Sequence, residues 1–395
     1  MGDGDDSATR HQIAGGEQPP AKLRAAVIGV LNPQPFWMDS LNYDLLDPMK
    51  SSTRKQPVSS RTKETPHGKP IPRRRSAAQN VDEDPRVVVG VDIGGSNLRV
   101  ALADLGGTVL GKWSASTKET SSPEMVIAQI GKGIDSLLKD SSASRSSLAA
   151  IAAGAPGITD RKAGVVVATS YLRGWRDVPF QRLLESAFDI PAAVENDVRM
   201  AALGEHWMGV ARGISNFVFL AIGTGIAAGI FANGTLLQGA NYTAGEVGYM
   251  YVPGASEQVA QCGTPGSLES TIGGEGIRQQ WLAGGKSSAH SKHLTATEVF
   301  DLALTGDPPA QVVLERSAQL LAYAVYNISL VLNPSLFVLG GGVGMNGALR
   351  DATEAVLQRY SEPAQPRLII SSLGQDAQLM GAIRLALDTV ERRTE

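Results

Sequence analysis

The stretch from Val91 to Arg99 reads VDIGGSNLR and decides the fold, because it places a glycine turn between two apolar strands. A second stretch, LAIGTGI from Leu220 to Ile226, repeats the arrangement. Each puts small residues and a hydroxyl at the tip of a hairpin, where backbone N–H groups can approach an oxyanion closely. Two such tips predict two related lobes that close on a polyphosphate. This pattern favours a phosphoryl-transfer enzyme over a one-lobed dinucleotide binder.

The composition of the 395-residue chain is that of a two-domain protein of a reducing compartment. Its formal net charge of −3 gives no global indication of nucleic acid or anionic membrane as a partner. Cys262 is the only cysteine, so no internal disulfide can form. No apolar run reaches the roughly 20 residues of a membrane span, and the acidic start at Met1 lacks the pattern of a signal peptide. We therefore expect a cytoplasmic protein.

The first 85 residues differ from the rest of the chain. Apart from a short apolar run between Ala25 and Leu31, they lack sustained periodicity, and Pro, Ser, Lys and Arg crowd together from Lys50 to Arg75. Such a segment cannot bury enough apolar surface to offset its ordering entropy. We expect a mostly disordered extension. Its run of three arginines is typical of a solvated tail, with nucleic acid or anionic lipid as the alternative partner.

From Arg86 onward, strands and helices alternate, which predicts an α/β fold with mixed sheets. Strands are expected at Val87–Val91, Leu98–Leu105, Thr108–Lys112, Leu148–Ala153, Ala192–Val194, Phe217–Ile222, Ile226–Phe231, Leu336–Leu339 and Arg367–Ser371. Helices are expected at Val126–Leu138, Phe180–Phe188, Asn196–Met208, Leu268–Leu282, Ala296–Leu304, Gln311–Leu332, Gly347–Tyr360 and Asp376–Asp388.

The glycine tips carry the residues expected to bind phosphate. In the first tip these are Gly94, Gly95, Ser96, Asn97 and Arg99, with Asp92 on the preceding strand to hold a hydrated Mg²⁺. In the second they are Gly223, Thr224 and Gly225. Hairpins need glycine in any case, so either tip alone is a weak signal. Neither a Walker A nor a protein-kinase H-R-D motif is present.

A third glycine cluster runs from Gly340 to Gly344, after an apolar strand and before a helix. It could bind the adenosine end of a nucleotide, with Gly341 and Gly342 nearest to it. Tight packing of the strand against the helix is the alternative explanation.

The acceptor side is expected at Glu195-Asn196-Asp197, which lies at a strand-to-helix junction between the two tips. Either Asn196 or Asp197 could simply cap the helix. An aspartate here could also accept the proton of a hydroxyl as its oxygen attacks the γ-phosphorus. Glu246 and Glu269 add two carboxylates suited to hydrogen-bonding vicinal sugar hydroxyls, although each alone would more often be a surface or capping residue.

In combination, these motifs resemble the ROK family of repressors and sugar kinases, within the actin/hexokinase/Hsp70-like fold. The matching strings are DIGGSNLR from Asp92, GAPG from Gly154, GW at Gly174, ENDV from Glu195, GTG from Gly223, GEVG from Gly245 and LGGG from Leu339. The resemblance covers nearly all of the chain after the extension, and the order of the motifs makes it highly specific.

The resemblance implies a fold and a set of roles. Two ribonuclease H-like lobes with five-stranded sheets would flank a central cleft, one spanning 86–197 with the C-terminal helix 376–391, the other 198–375. Asp197 would be the catalytic base, and the tips and the third glycine cluster would hold ATP and Mg²⁺. The residues implied at the sugar are Asn196, Glu246, Glu269, Gly157 and Tyr249. A homodimer or higher homo-oligomer is expected.

This chain departs from the family at its zinc site. The family usually has histidine where Tyr249 stands, and a loop of the form C-x-C-G-x-x-G-C-x-E where this chain reads AQCGTPGSLE from Ala260. One thiol and a phenol cannot make the tetrahedral N/S site of structural zinc, so we predict no zinc. The pair His290 and His293 is better explained as a loop. Tyr171 stands where many relatives have asparagine, so the sequence does not define which sugar is bound.

Together the sequence predicts an ATP-dependent sugar kinase of the glucokinase or hexokinase type, with the 6-hydroxyl of a hexose or related sugar as acceptor. A sugar-binding regulator is the main alternative, although residues 1–85 show no paired helices of a helix-turn-helix. A pseudokinase that kept the fold is another. Polyphosphate as donor is a further alternative, which the third glycine cluster disfavours.

Overall fold

The structure is a computed structural model that describes residues 86–117, 122–257, 264–285, 294–360 and 366–394. The expected extension 1–85, Cys262 and the pair His290 and His293 lie outside the described residues. All the described residues belong to one compact unit that runs from Ala78 to Glu395.

The first five-stranded sheet has the order β3-β2-β1-β4-β8. Its strands are β1 (Val87–Ile93), β2 (Asn97–Asp104), β3 (Val109–Ser116), β4 (Leu148–Ala155) and β8 (Ala192–Asn196). The first three form an antiparallel meander, while β4 and β8 add in parallel beside β1. Strand β1 is buried along its whole length, because it lies at the centre of the sheet.

The second five-stranded sheet has the order β11-β10-β9-β12-β13. Its strands are β9 (Phe217–Ile222), β10 (Ile226–Ala232), β11 (Thr235–Leu236), β12 (Leu336–Gly340) and β13 (Arg367–Ile370). Again an antiparallel meander is followed by two parallel strands. The predicted mixed sheets are therefore confirmed, and each is built in the same order around a glycine hairpin.

A small third sheet was not expected from the sequence. It has the order β5-β6-β7 and contains β5 (Ile158–Asp160), β6 (Val165–Ala168) and β7 (Arg176–Val178). Its strands have only three or four residues, and charged residues and glycines separate them, so no apolar alternation is long enough to reveal them. Tyr171 lies in the loop of residues 169–175 that connects β6 to β7.

The helices are α1 (Pro123–Asp140), α2 (Phe180–Phe188), α3 (Asp197–Met208), α4 (Ser267–Ile272), α5 (Gly274–Ala283), α6 (Ala296–Leu304), α7 (Pro308–Leu332), α8 (Gly341–Gly344), α9 (Gly347–Leu357) and α10 (Ala377–Thr394). Within the described ranges, no helix is long and apolar enough to cross a membrane.

The expectation of one helix from Leu268 to Leu282 is wrong, because the helix breaks at Gly273. That residue is extended, with φ −68° and ψ 162°. The N–H of Gly274 then bonds to the carbonyl of Gly223, 2.8 Å away in the second hairpin, instead of continuing the helical ladder. The apolar spacing runs through the break, whereas the Gly273-Gly274 pair and the bond to Gly223 favour two short helices.

Two helices connect the sheets. Helix α10 packs Leu379 and Ile383 against Val88 and Ala150 of the first sheet. Helix α3 packs Val198 and Ala202 against Phe219 and Phe231 of the second. The two helices also contact each other closely, since a Cβ on Gly381 would collide with the backbone carbonyl of Met200. A hinge between the sheets would therefore pass through this contact.

Candidate active site

Asp197 is the first residue of α3, and Asn196 is both the last residue of β8 and the N-cap of α3. The Oδ1 atom of Asn196 accepts the N–H groups of Val198 and Arg199, each at 3.0 Å. Its Nδ2 donates to Oδ1 of Asp197 at 3.1 Å and to the carbonyl of Gly157 at 2.9 Å. Asn196 therefore caps the helix, as one alternative expected, and at the same time fixes Asp197 and the Gly157 turn.

The environment of Asp197 raises its pKa to about 7. Burial is the main cause, and the charges of Asp92 and Glu246 act in the same direction. The N–H of Val198 opposes them by donating to Oδ1 of Asp197 at 2.9 Å. A carboxyl with a pKa near neutral pH is suited to general base catalysis, since it combines basicity with substantial ionisation.

Glu195 and Arg199, which precede and follow the pair Asn196 and Asp197 in the chain, form a buried ion pair. Glu195 is fully buried and accepts the backbone N–H of Asn196 at 2.8 Å and Nε of Arg199 at 2.7 Å. Arg199 also donates to the carbonyls of Thr159 and Tyr242, at 2.9 and 3.0 Å. The pair thus fixes the strand-to-helix junction to two further segments. Arg199 was not predicted from the sequence, although its i,i+4 spacing from Glu195 at a helix start was a usable signal.

The first hairpin presents its tip to solvent. Gly95, Ser96 and Asn97 are exposed, and the turn closes with a 2.8 Å bond from the N–H of Gly94 to the carbonyl of Asn97. Asp92, just before the turn, is buried, and its Oδ2 accepts Nε and Nη2 of Arg99 at 2.9 and 2.5 Å.

Two opposing effects act on the carboxyl of Asp92. Burial raises its pKa, and the charge and hydrogen bonds of Arg99 oppose that rise. Arg99 therefore favours the ionised form of Asp92.

The second hairpin is fastened to its neighbours. Its turn closes with a 2.9 Å bond from the N–H of Gly223 to the carbonyl of Gly225, and Thr224 at its tip is exposed. The adjacent N–H of Ile226 donates to Oε2 of Glu269 at 2.7 Å. A predicted sugar-binding carboxylate is thus bonded directly to a predicted phosphate-binding turn.

One of the two predicted acceptor glutamates acts on the pKa of the other. Burial raises the pKa of both Glu246 and Glu269. The charge of Glu269 raises the pKa of Glu246 further, while Arg199 opposes that rise. Glu246 also raises the pKa of Asp197. The structure therefore brings Asp197, Glu246 and Glu269 into one electrostatic cluster.

The predicted acceptor residues Gly157 and Tyr249 lie at the edge of this cluster. Gly157 has φ +96°, and its added Cβ would lie 2.7 Å from Cβ of Thr169, so glycine is required there. Tyr249 is about half exposed, and its hydroxyl donates to the carbonyl of Thr264 at 3.4 Å. The described residues hold no cluster of three or more His, Cys, Asp and Glu arranged for a metal ion. Because Cys262 lies outside them, the absence of zinc stays a prediction.

In the third glycine cluster, two glycines are explained by packing and a third is not. Gly340 packs against the ring of Phe219, and Gly341 has φ +77° against the backbone of Ile222. These two are explained by packing. Gly342 is different, since its Cβ direction is open and its N–H lies 3.9 Å from the Cβ position of Gly223. Gly342 therefore faces the second hairpin.

Two similarly ordered sheets with glycine hairpins, joined by α3 and α10, define the actin-like class of folds. The ROK family model matches residues 88–389, and the chain belongs to that family.

Among its relatives is a glucokinase of Halalkalibacterium halodurans, 33% identical over 311 residues, which cover 75% of this chain and 93% of the relative. A xylose repressor of Caldicellulosiruptor bescii is 24% identical over 81% of this chain and 83% of its own length. The crystal structure of a ROK hexokinase from Thermus thermophilus superposes with a TM-score of 0.64 at 29% identity, covering 78% of this chain and 99% of that one.

Proposed function

We propose that this protein is an ATP-dependent sugar kinase of the glucokinase type, which phosphorylates the 6-hydroxyl of a hexose or a related sugar. The observation that carries the proposal is Asp197, held at the start of α3 with a pKa of about 7, between the first hairpin and the acceptor carboxylates. The similarity to a glucokinase and to a ROK hexokinase supports the same conclusion.

In the proposed mechanism, Asp197 accepts the proton of the sugar hydroxyl as its oxygen attacks the γ-phosphorus of ATP. Glu269 and Glu246 hydrogen-bond neighbouring hydroxyls and so orient the sugar. Asn196 keeps the carboxylate of Asp197 in place through its 3.1 Å bond. Orientation of both reactants in a closed site supplies much of the rate enhancement and limits wasteful hydrolysis of ATP.

The chain's residues fit a nucleotide and its Mg²⁺. The exposed tips offer backbone N–H groups and the hydroxyls of Ser96 and Thr224 to phosphate oxygens. Both bonds from Arg99 go to Oδ2 of Asp92, so Oδ1 is the atom available to a metal-bound water. A bound Mg²⁺ would neutralise charge on the phosphates. On the other side, Gly342 faces the second hairpin and extends the donor site towards the nucleoside.

The lobe division is part of the proposal. The first lobe would contain 86–197 together with 376–391, and the second would contain 198–375. The packing of α10 on the first sheet supports the return of the C-terminal helix to the first lobe.

The test of the catalytic role is Asp197→Asn. Loss of a general base costs on the order of a hundredfold or more in kcat. We expect that loss with hexose and ATP, while binding of the sugar, measured by calorimetry, persists. Asp301→Asn, on the exposed surface of α6, is the matched control. Near-normal turnover by a folded Asp197→Asn variant would overturn the assignment of the base.

A sugar-responsive regulator is the second candidate, and the similarity to a xylose repressor favours it. A DNA-binding segment of this chain would have to lie outside the described residues. A regulator would bind sugar without turning it over and would retain a specific DNA duplex at physiological salt. Assays of hexoses, N-acyl hexosamines and fructose with ATP and with polyphosphate separate the kinase, the regulator and the polyphosphate-dependent enzyme.

A further inference from the structure

Tyr171 lies between the two glycine hairpins. A Cβ built on Gly95 at the first tip would lie 3.5 Å from both Cβ and Cδ1 of Tyr171. A Cβ built on Gly225 at the second tip would lie 2.6 Å from the hydroxyl oxygen of Tyr171. The base of the side chain therefore contacts one hairpin and its end contacts the other.

The backbone that carries Tyr171 is held on both sides of this residue. Leu172 and Trp175 are almost fully buried, at 3% and 2% exposure, and Trp175 packs against Phe180. On the other side, the N–H of Tyr171 donates to the hydroxyl of Thr169 at 3.1 Å. The side chain of Tyr171 remains 46% exposed. A rigid segment with one exposed aromatic ring allows that ring to change rotamer without unfolding its surroundings.

The hydroxyl of Tyr171 lies in the acceptor cluster. It and Oε2 of Glu269 are both close to the same Cβ position on Gly225, at 2.6 and 2.9 Å. Burial and the charges of Glu269, Asp197 and Glu246 together raise the pKa of Tyr171 to about 12. The phenol therefore stays protonated at physiological pH and stands beside the carboxylates as a neutral donor.

We propose that Tyr171 is a gate: in the ligand-free enzyme its side chain closes the space between the two hairpins, and it swings out when the donor nucleotide enters. The inference rests on the proposed function, because it takes that space as the path of the polyphosphate. A phosphate chain held by both tips cannot share the space with a phenol that already contacts both of them. Binding of the donor must then include the cost of moving the ring.

The gate predicts a gain of affinity when the ring is removed. If the closed state dominates the free enzyme by about ten to one, removal of the ring tightens nucleotide binding about tenfold. The probe is the non-hydrolysable ATP analogue AMP-PNP with Mg²⁺, measured by calorimetry without sugar on the full chain. Tyr171→Ala and Tyr171→Ser should both bind it more tightly. Tyr171→Phe keeps the ring and should bind it as the natural protein does.

Sugar-independent hydrolysis at a subsaturating concentration of ATP provides a second readout, and it should rise in Tyr171→Ala, because a larger fraction of the enzyme then holds ATP. Tyr251→Ala, which removes a ring that is 58% exposed, is the matched control and should change neither readout. Unchanged or weaker binding of AMP-PNP by a folded Tyr171→Ala variant overturns the gate, as does a Tyr171→Phe variant that gains as much affinity as Tyr171→Ala. If no sugar is phosphorylated, the proposed function fails, but the binding result still decides the gate.

Discussion

The two glycine hairpins have the same strand pattern but differ in what holds their tips. The first closes on itself and on the end of β3, where the hydroxyl of Thr117 donates to the carbonyl of Gly94 at 3.0 Å. The second is bonded to two helices, through Gly274 of α5 and Glu269 of α4. The two glycine hairpins therefore share a motif but have different hydrogen-bond partners around their tips. The second hairpin is coupled to the acceptor residues through Glu269, whereas the first, besides a 3.2 Å bond from Arg99 to Gln378 of α10, is bonded within its own sheet.

Among the variants that test this difference between the hairpins, Glu269→Gln should have the largest effect, because it weakens the link between the second hairpin and the acceptor site. A charged hydrogen bond contributes about 1.5–3 kcal/mol, so kcat/KM for the sugar should fall at least tenfold. Because Glu269 also holds Ile226, the KM for ATP should rise as well. Steady-state kinetics with each substrate varied in turn check this. A change in the sugar KM alone would show that the hairpin is not coupled to the acceptor site.

The pH profile tests how the charge of Asp92, beside the first hairpin, and that of Glu246, on the acceptor side, contribute to the pKa of Asp197. Since a base must be deprotonated to act, kcat/KM should fall about tenfold per pH unit below pH 7 as Asp197 protonates, and level off above it. The charge of Asp92, from the first hairpin, contributes to the raised pKa. Asp92→Asn should therefore move the acidic limb to lower pH, whatever its effect on the maximal rate. A limb that does not move would remove Asp92 from the electrostatic cluster.

The smallest effect is expected from a pair of variants, each of which removes one hydrogen bond at the tip of one hairpin. Gly274→Pro removes the N–H that bonds to Gly223, at the first position of α5, where a helix tolerates proline. The ring carbon Cδ takes the place of the amide hydrogen, so the carbonyl of Gly223 and the second tip must shift. The preceding residue, Gly273, already has the extended conformation that proline requires. Loss of the hydrogen bond, worth about 1 kcal/mol, together with this shift should raise the KM for ATP at least fivefold.

Thr117→Val is the counterpart on the first hairpin, since it removes the hydroxyl bond to Gly94 and keeps the side-chain shape. It should lower the free energy of unfolding by about 1 kcal/mol and leave the KM for ATP almost unchanged. Urea unfolding and kinetics on the two variants check the pair. Equal effects on the KM for ATP would contradict the distinction between a tip bonded to helices and a tip bonded within its own sheet.

Much of the fold could be predicted because its signals are local. Apolar runs and glycine turns indicated nine of the ten strands of the two large sheets, all but the two-residue β11, and helical spacing indicated most helices. What failed depends on distant contacts. Nothing near Gly273 in the chain reveals its partner Gly223, and strands as short as β7 become stable only when paired. The proximity of Tyr171 to both hairpins likewise follows from packing, so the sequence could place it only near the pocket.

The first residue of α3 carries the proposed base, and the helix contacts α10 near Gly204, where glycine alone permits the approach. The distance along the helix between these two points is about 10 Å at 1.5 Å per residue. The contact of Gly204 with α10 can thus act as the fulcrum, that is, the pivot point, about which α3 tilts. A tilt of roughly ten degrees about that fulcrum would displace the carboxylate by about 2 Å, and a misplacement of about 1 Å can cost a hundredfold in rate. A methyl group added at this fulcrum, far from any substrate, would therefore alter the rate of the reaction.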